Sequence, residues 1–453
     1  MTKVVELCPD RNLTNLNFEK YQFCSDEVPI DSEINLKTDI LRLELTSNRD
    51  SLLETRLFAF HNHLFKNPYD TSVWFIDKDW VVWHFKKDGN LQQVYTIHSL
   101  SEKIQNFLYN PSIGFTSNNI IVISDGGDCL TLLVTDAQEH IKSFILNDAE
   151  PGIILDVQYV NTIILKVNGA VEYVYIEECG KYLHSICQDY ITFECPKTKQ
   201  FTDSRKDIEK TGELKIPKYC WSQDEDSITV WLTIDKHHHD KVKVNVTPLE
   251  LSVTVNNNIL IEGLAHLCAD QIDNKQGQPC LGFNAEQLEE CDLERKDNLL
   301  QRIDLITQEN THLAMLGLNN HVLYTYKTKS GQAICLRHDN DGCLWITNQV
   351  NDMEWNIKHH YTFPGFGYVE ASKSNKKFCL SPADGSYVAI LEHIRYIFLY
   401  KRPESNIEVG KQWIVDLGIE TYPIMGAAAT NRYLIILTKN KLYRLNIYNI
   451  IIK

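Results

Sequence analysis

Short apolar strands joined by tight polar turns recur along this chain, and that recurrence constrains its fold more than any other feature. Val73-Trp74-Phe75-Ile76 turns through Asp77-Lys78-Asp79 into Trp80-Val81-Val82-Trp83. Ile120–Ile123 turns through Ser124-Asp125-Gly126-Gly127-Asp128 into Cys129–Val134, and Thr162–Leu165 turns at Asn168-Gly169 into Val171–Tyr175. Farther on, Ala333–Leu336 pairs with Cys343–Ile346, Tyr387–Leu391 with Tyr396–Tyr400, and Leu434–Leu437 with Leu442–Leu445. Gly, Asn and Asp at the bends supply the positive φ that short hairpins need. The turns fall roughly 40 to 55 residues apart, close to the period of propeller blades. One gap in the middle is much wider; with a separate module taken out, it leaves room for one more blade. The expectation is an all-β chain: a split β-propeller of six or seven blades with a β module inserted. A propeller closes only if its chain ends meet, and Tyr21–Phe23 and Leu41–Leu45 are the candidates to complete the last blade. Ordinary β-meanders in two separate domains are the alternative.

The totals narrow the class. The chain has 453 residues, 43% of them apolar, and a formal net charge of -15. Such an acidic protein repels nucleic-acid phosphates and anionic lipid, and no basic cluster reverses that locally, so neither nucleic acid nor membrane is expected as a direct partner. No apolar run approaches the ~18 residues of a membrane span. Near the start, Glu6, Asp10 and Arg11 leave no apolar stretch of a secretory signal. Thirteen cysteines are scattered without a C-x-x-C pair. The expectation is reduced thiols in the cytosol or nucleus, with no zinc ribbon or thioredoxin-like site.

Composition divides the chain further. N-terminal blades are expected over 1–195, a charged connector over 196–218, a β module over 219–267, an acidic connector over 268–305 and C-terminal blades over 306–453. The module opens with Tyr219, Trp221 and Gln223, followed by Asp226 and the strand Ser227–Ile234. Val242–Val246, Leu249–Val255 and Ile259–Leu264 then alternate with the two-residue period of half-buried antiparallel sheet. These residues resemble the CS domain, the β-sandwich of the NudC and p23 co-chaperones. Flanking segments add to the resemblance: Leu288–Asp292, Cys335–Asp339 with Leu344-Trp345, Gly367–Lys373 with Lys376–Phe378, Phe18–Tyr21 and Phe58–Leu64. The resemblance implies a non-enzymatic co-chaperone or adaptor of cytoplasm and nucleus, binding Hsp90-type machinery and client proteins. It also implies association with RNA-processing machinery, including a DEAH-box helicase. The runner-up is a propeller scaffold in RNA processing with a vestigial CS module. After Leu264 the chain departs from the family, because its acidic Trp-containing segment and final strand are not recognisable. The module is therefore expected to be short of two strands.

Catalytic and phosphate-binding signatures are absent, and neither cofactor nor metal is expected. His237-His238-His239 point alternately to opposite faces of a hairpin, so a solvated turn is favoured over a metal site. Asp339-Asn340-Asp341-Gly342 reads as a turn rather than a calcium loop, with Arg337 tying it. An enzyme working in the central channel would need a convergent polar cluster that the sequence does not display. Candidate partner-binding residues are Tyr219, Trp221, Gln223, Lys241 and Lys243. For Tyr219 core and surface roles stand level; Trp221 leans to the core, while Gln223, Lys241 and Lys243 are expected to face outward.

Overall fold

Strands that are apolar at every position form the middle of this architecture, and the reason lies in where their alternate side chains go. In Tyr387–Glu392, Tyr387, Ala389 and Leu391 enter one core, while Val388 and Ile390 enter another. Leu434 and Ile436 share the first of those cores, whereas Ile435 and Leu437 join Val73 and Phe75 in a third. Trp74 and Ile76 then pack with Ile113, Ile121 and Ile123. The sheets holding these three strands are each covered on both faces by their neighbours. Period-2 geometry therefore distributes one continuous apolar run between two interfaces, as radial stacking of sheets requires.

The computed structural model describes residues 3–43, 57–97, 109–146, 152–194, 219–264 and 299–451, apart from short stretches within them. The chain forms two compact units, one of Met1–Ile208 with Arg295–Lys453 and one of Glu209–Glu294. Among the described residues the first unit contains seven sheets, numbered here as blades around the ring. Blade 1 is Phe65–Lys66, Val73–Ile76, Val81–Phe85 and Leu91–Thr96. Blade 2 is Ser112–Phe115, Ile120–Ser124, Leu130–Thr135 and Ile141–Leu146. Blade 3 is Ile153–Gln158, Ile163–Val167 and Ile191–Glu194; blade 4 is Val171–Ile176, Tyr182–Cys187, Leu299–Asp304 and Asn310–Met315. Blade 5 runs from Val322–Thr328 through Gly331–His338 and Asp341–Asn351 to Glu354–Phe363. Blade 6 is Lys376–Leu380, Tyr387–Glu392, Tyr396–Lys401 and Val409–Asp416. Blade 7 is Ile424–Ala429, Tyr433–Thr438 and Lys441–Asn446, completed by Ile30–Asn35. First strands of successive blades lie side by side from blade 1 through blade 7, and the core shared by blades 7 and 1 closes the ring.

Five expected hairpins are present in register, including Ile76 opposite Val82 and Leu437 opposite Leu442. At 338–341 the bend falls one step earlier than its glycine. Asp339 takes φ 51°, His338 pairs with Asp341, and Gly342 is already strand. Arg337 donates from Nε to the Asp339 carbonyl at 2.9 Å, tying the turn.

Three expectations are corrected. Ile163–Val167 and Val171–Ile176 do not form a hairpin: the first pairs with Ile191–Glu194 in blade 3, and the second begins blade 4. Leu299–Asp304, assigned from composition to the acidic connector, is a strand of blade 4 paired with Tyr182–Cys187. Closure of the last blade comes from Ile30–Asn35. Tyr21–Phe23 instead belongs to Lys20–Phe23, a parallel fifth strand on blade 6, and residues 41–43 are outside any strand.

The N-terminal segment is a strap along the outer edges. Lys3–Val5 adds a parallel fifth strand to blade 4, and the Asp10 amide donates to His359 Nδ1 of blade 5 at 3.0 Å. Lys20–Phe23 and Ile30–Asn35 follow on blades 6 and 7. The Leu41 amide then reaches the Ile76 carbonyl of blade 1. Buried Asp77 fixes this arrival, accepting hydrogen bonds from Thr38 and, at 2.7 Å, from Trp83 Nε1.

Candidate functional site

The second unit carries the residues that the sequence singles out for partner binding. Tyr219–Gln223 and Ile228–Leu232 form a two-stranded antiparallel ribbon in which Tyr219 stands opposite Leu232, Trp221 opposite Val230 and Gln223 opposite Ile228. Directly opposed residues share a face and alternate residues repeat it. Tyr219, Trp221 and Gln223 thus occupy one face of the ribbon together with three aliphatic positions. Cys220, Ser222, Thr229 and Trp231 hold the other.

Val242–Val246, Glu250–Val255 and Asn258–Leu264 make a separate three-stranded sheet. Val242, Val244 and Val246 stand opposite Val255, Val253 and Leu251, so these six define an apolar face. Lys243 is exposed on the opposite face, across from Thr254. A bulge between Val253 and Thr254 precedes the last strand. Of the five candidate residues, three share one ribbon, Lys243 belongs to the other sheet, and Lys241 lies outside the described residues. His237-His238-His239 also lie outside them. Among the described residues no group of three or more His, Cys, Asp or Glu side chains is placed to hold a metal ion.

The first unit holds a polar cluster whose arrangement was not read from the sequence. In the segment Phe58–Leu64, Asn62 grips the first strand of blade 7 as a backbone would, donating to the Ala427 carbonyl at 2.8 Å and accepting from its amide at 3.0 Å. A side chain on Gly426 would lie 2.5 Å from the Leu64 nitrogen, so only glycine admits this approach. On either side of Asn62, His61 and His63 are buried with ring centroids 4.5 Å apart. Burial pushes His61 down to about 4, against its hydrogen bond to the Pro111 carbonyl and with help from nearby Lys377. His63 is held well below its ordinary value by burial first, and then by His61, Lys377 and Arg42. Both rings are accordingly neutral at pH 7 and serve packing and hydrogen bonding at the seam between blades 7 and 1.

Glu370 is a second buried polar centre, on the short helix Phe366–Ala371 between blades 5 and 6. It pairs with Lys376, and with His321 at 3.6 Å. Burial works to raise its carboxyl, but the neighbouring His321 and Lys376 win and hold it below the ordinary glutamate value. Buried thiols behave as small apolar groups: desolvation pushes Cys343 up to about 12 and Cys335 higher still.

Residues 217–271 match the CS domain family, a span that takes in the five strands described in the second unit. Over 574 aligned positions, covering 96% of this chain and 97% of the relative, the chain is 23% identical to NudC domain-containing protein 1 of Mus musculus. The corresponding protein of Xenopus tropicalis is 30% identical over 288 residues, 59% of this chain and 44% of the relative. That of Xenopus laevis is 34% identical over 204 residues, 40% of this chain and 33% of the relative. The similarity to the two frog proteins thus spans less than half of their length. The mouse alignment is longer than the 453-residue chain, so the mouse protein carries more than a hundred aligned positions with no counterpart here. Among solved structures, the crystal structure of the Cps50 (Swd1) β-propeller domain of Myceliophteria thermophila aligns with 93% of this chain and 99% of its own, at a TM-score of 0.42 and 8% identity. The relatives and the CS match point to a co-chaperone-like family.

Proposed function

We propose that this chain is a non-enzymatic co-chaperone or adaptor of the NudC type, whose inserted CS unit engages Hsp90-type chaperone machinery while the propeller engages client proteins. The observation that carries the reading is the CS match over 217–271 on a unit that is compact in its own right. A separate unit offers a second docking surface on one chain, and two weak contacts on a shared chain reinforce each other through effective concentration. Tyr219, Trp221, Gln223 and Lys243 are the residues proposed to meet the chaperone, with Lys241 beside them in sequence. The proposed setting is cytoplasm and nucleus.

A second reading makes the chain a propeller scaffold in RNA processing, associated with a DEAH-box helicase, in which the CS unit no longer binds. The departure from the CS pattern after Leu264 favours it, because a sandwich short of strands leaves sheet edges unpaired.

One experiment separates the two readings: affinity purification with the whole chain and with a chain lacking 209–294. Capture of Hsp90 by the whole chain alone supports the co-chaperone reading, and a Trp221→Asp variant then loses it by about tenfold or more. Equal partner lists from the two chains, with no Hsp90, overturn it in favour of the scaffold.

A further inference from the structure

The strap treats the outer edges of the ring unequally. It lays Lys3–Val5 on blade 4 and Lys20–Phe23 on blade 6, and it supplies Ile30–Asn35 as the outer strand of blade 7. Blade 2 is different. Its outermost strand is Ile141–Leu146, paired with Leu130–Thr135 on one side and with no strand on the other among the described residues. The backbone N–H and C=O groups that alternate along that free side can receive another strand. Side chains set this edge apart as well. Ile141 and Ile145, 37% and 55% exposed, stand on one face with exposed Ser143 between them, and the strand's one charged residue is exposed Lys142. The exposed positions of the outer strand of blade 1 are instead Gln92 and Gln93, and those of blade 7 include Asp31 and Glu33, paired with Arg444 and Lys441.

We propose that this edge of blade 2 pairs with the same edge of a second copy of the chain, antiparallel across a two-fold axis, joining the two blades into one continuous sheet. Register is the first reason for a second copy. A two-fold axis perpendicular to the sheet keeps the faces of the two strands aligned, so odd positions meet odd positions. Centred on Ser143, this pairing sets Ile141 opposite Ile145 of the second copy, twice, and Ser143 opposite its own counterpart. Lys142 falls opposite position 144, so no like charges are directly opposed. Charge is the second reason. At a net charge of -15, two copies repel over most of their surfaces, whereas Ile141–Leu146 contains no acidic residue. One strand junction is small beside the roughly 1,600 Å² of a standard interface, so the dimer is weak, with a dissociation constant on the order of tens of micromolar. This inference concerns blade 2 and is independent of the role assigned to the CS unit.

Sedimentation velocity of the whole chain, from about 1 to about 200 µM, is expected to show a monomer–dimer equilibrium. Ile145→Asp sets a carboxylate opposite Ile141 at both pairs and weakens the dimer at least about tenfold. Combining Ile141→Lys with Ile145→Asp in one chain opposes unlike charges at both pairs and returns the dimer to within about threefold of the unchanged chain. Ser143→Cys brings a thiol against its own counterpart, so this variant cross-links under mild oxidation faster than the unchanged chain does. That measurement reads the same edge should the charged variants fold poorly. A chain that stays monomeric at the highest concentration overturns the proposal. So does a dimer that folded Ile145→Asp leaves intact, or a folded double variant that associates no better than the single one. Cross-linking of Ser143→Cys no faster than that of the unchanged chain overturns it too.

Discussion

Lys20–Phe23 and Lys3–Val5 perform the same operation on two blades, and the difference between them separates two sources of order. Both satisfy an outer edge by parallel backbone pairing, a contribution that any extended sequence supplies. Only Lys20–Phe23 also buries a large side chain, Tyr21, between Phe18 and Tyr400. Backbone pairing sets where a strand lies; side-chain burial sets how firmly it stays. The contrast extends to the blades themselves. Blade 6 is formed from one continuous stretch of chain apart from its strap strand. Blade 4 joins two hairpin halves, Tyr182–Cys187 and Leu299–Asp304, that are more than a hundred residues apart in sequence.

The largest expected effect comes from removing the anchor. Tyr21→Ala takes away a buried ring and leaves a cavity beside Tyr400, costing about 3–5 kcal/mol in chemical denaturation. A loss below about 1 kcal/mol would show that the two strap strands are held alike, and the comparison would fail.

Acid tests the far end of the strap, where Leu41 meets blade 1 beside His63. The unfolded chain takes up a proton on His61 near pH 6.5, whereas the folded chain does so only near 4. Between those values the unfolded state binds more protons, so stability present at pH 7 is lost as pH falls. For His61 the loss is on the order of 3 kcal/mol by pH 4. Denaturation midpoints at pH 7 and 5 measure it, and a His61→Asn variant should show a shallower fall. An unchanged slope in that variant would mean that His61 does not sense pH in this fold.

The smallest effect belongs to blade 4. Val5→Ala removes part of a half-buried side chain and should cost less than about 1 kcal/mol, while amide exchange over 310–315 rises. Protection there equal to that of 409–416 on blade 6 would contradict a loosely held strand.

Several parts of this picture were legible beforehand because they are local. The hairpins at 73–85, 120–134, 387–401 and 433–446 announce themselves by apolar runs interrupted by turn residues, and each is present. The CS-like pattern from Tyr219 was legible for the same reason, and the family match covers it. Strand partnership at long range was not. Ile163–Val167 next to Val171–Ile176 has every local mark of a hairpin, yet the two strands join different blades. Which strand completes a sheet depends on the far chain that fills the neighbouring place.

By itself the sequence determined an all-β chain, the positions of most turns, and an inserted module of CS type. Those properties follow from period-2 alternation and turn chemistry, which act between residues close along the chain. The tertiary structure alone decided that Ile30–Asn35 closes the ring, that Tyr21 locks a parallel strand to blade 6, and that Asn62 joins blade 7 through Ala427. These depend on backbone groups and close approaches between residues hundreds of positions apart. Every residue carries such backbone groups, so the pattern of side chains leaves no sign of which will pair.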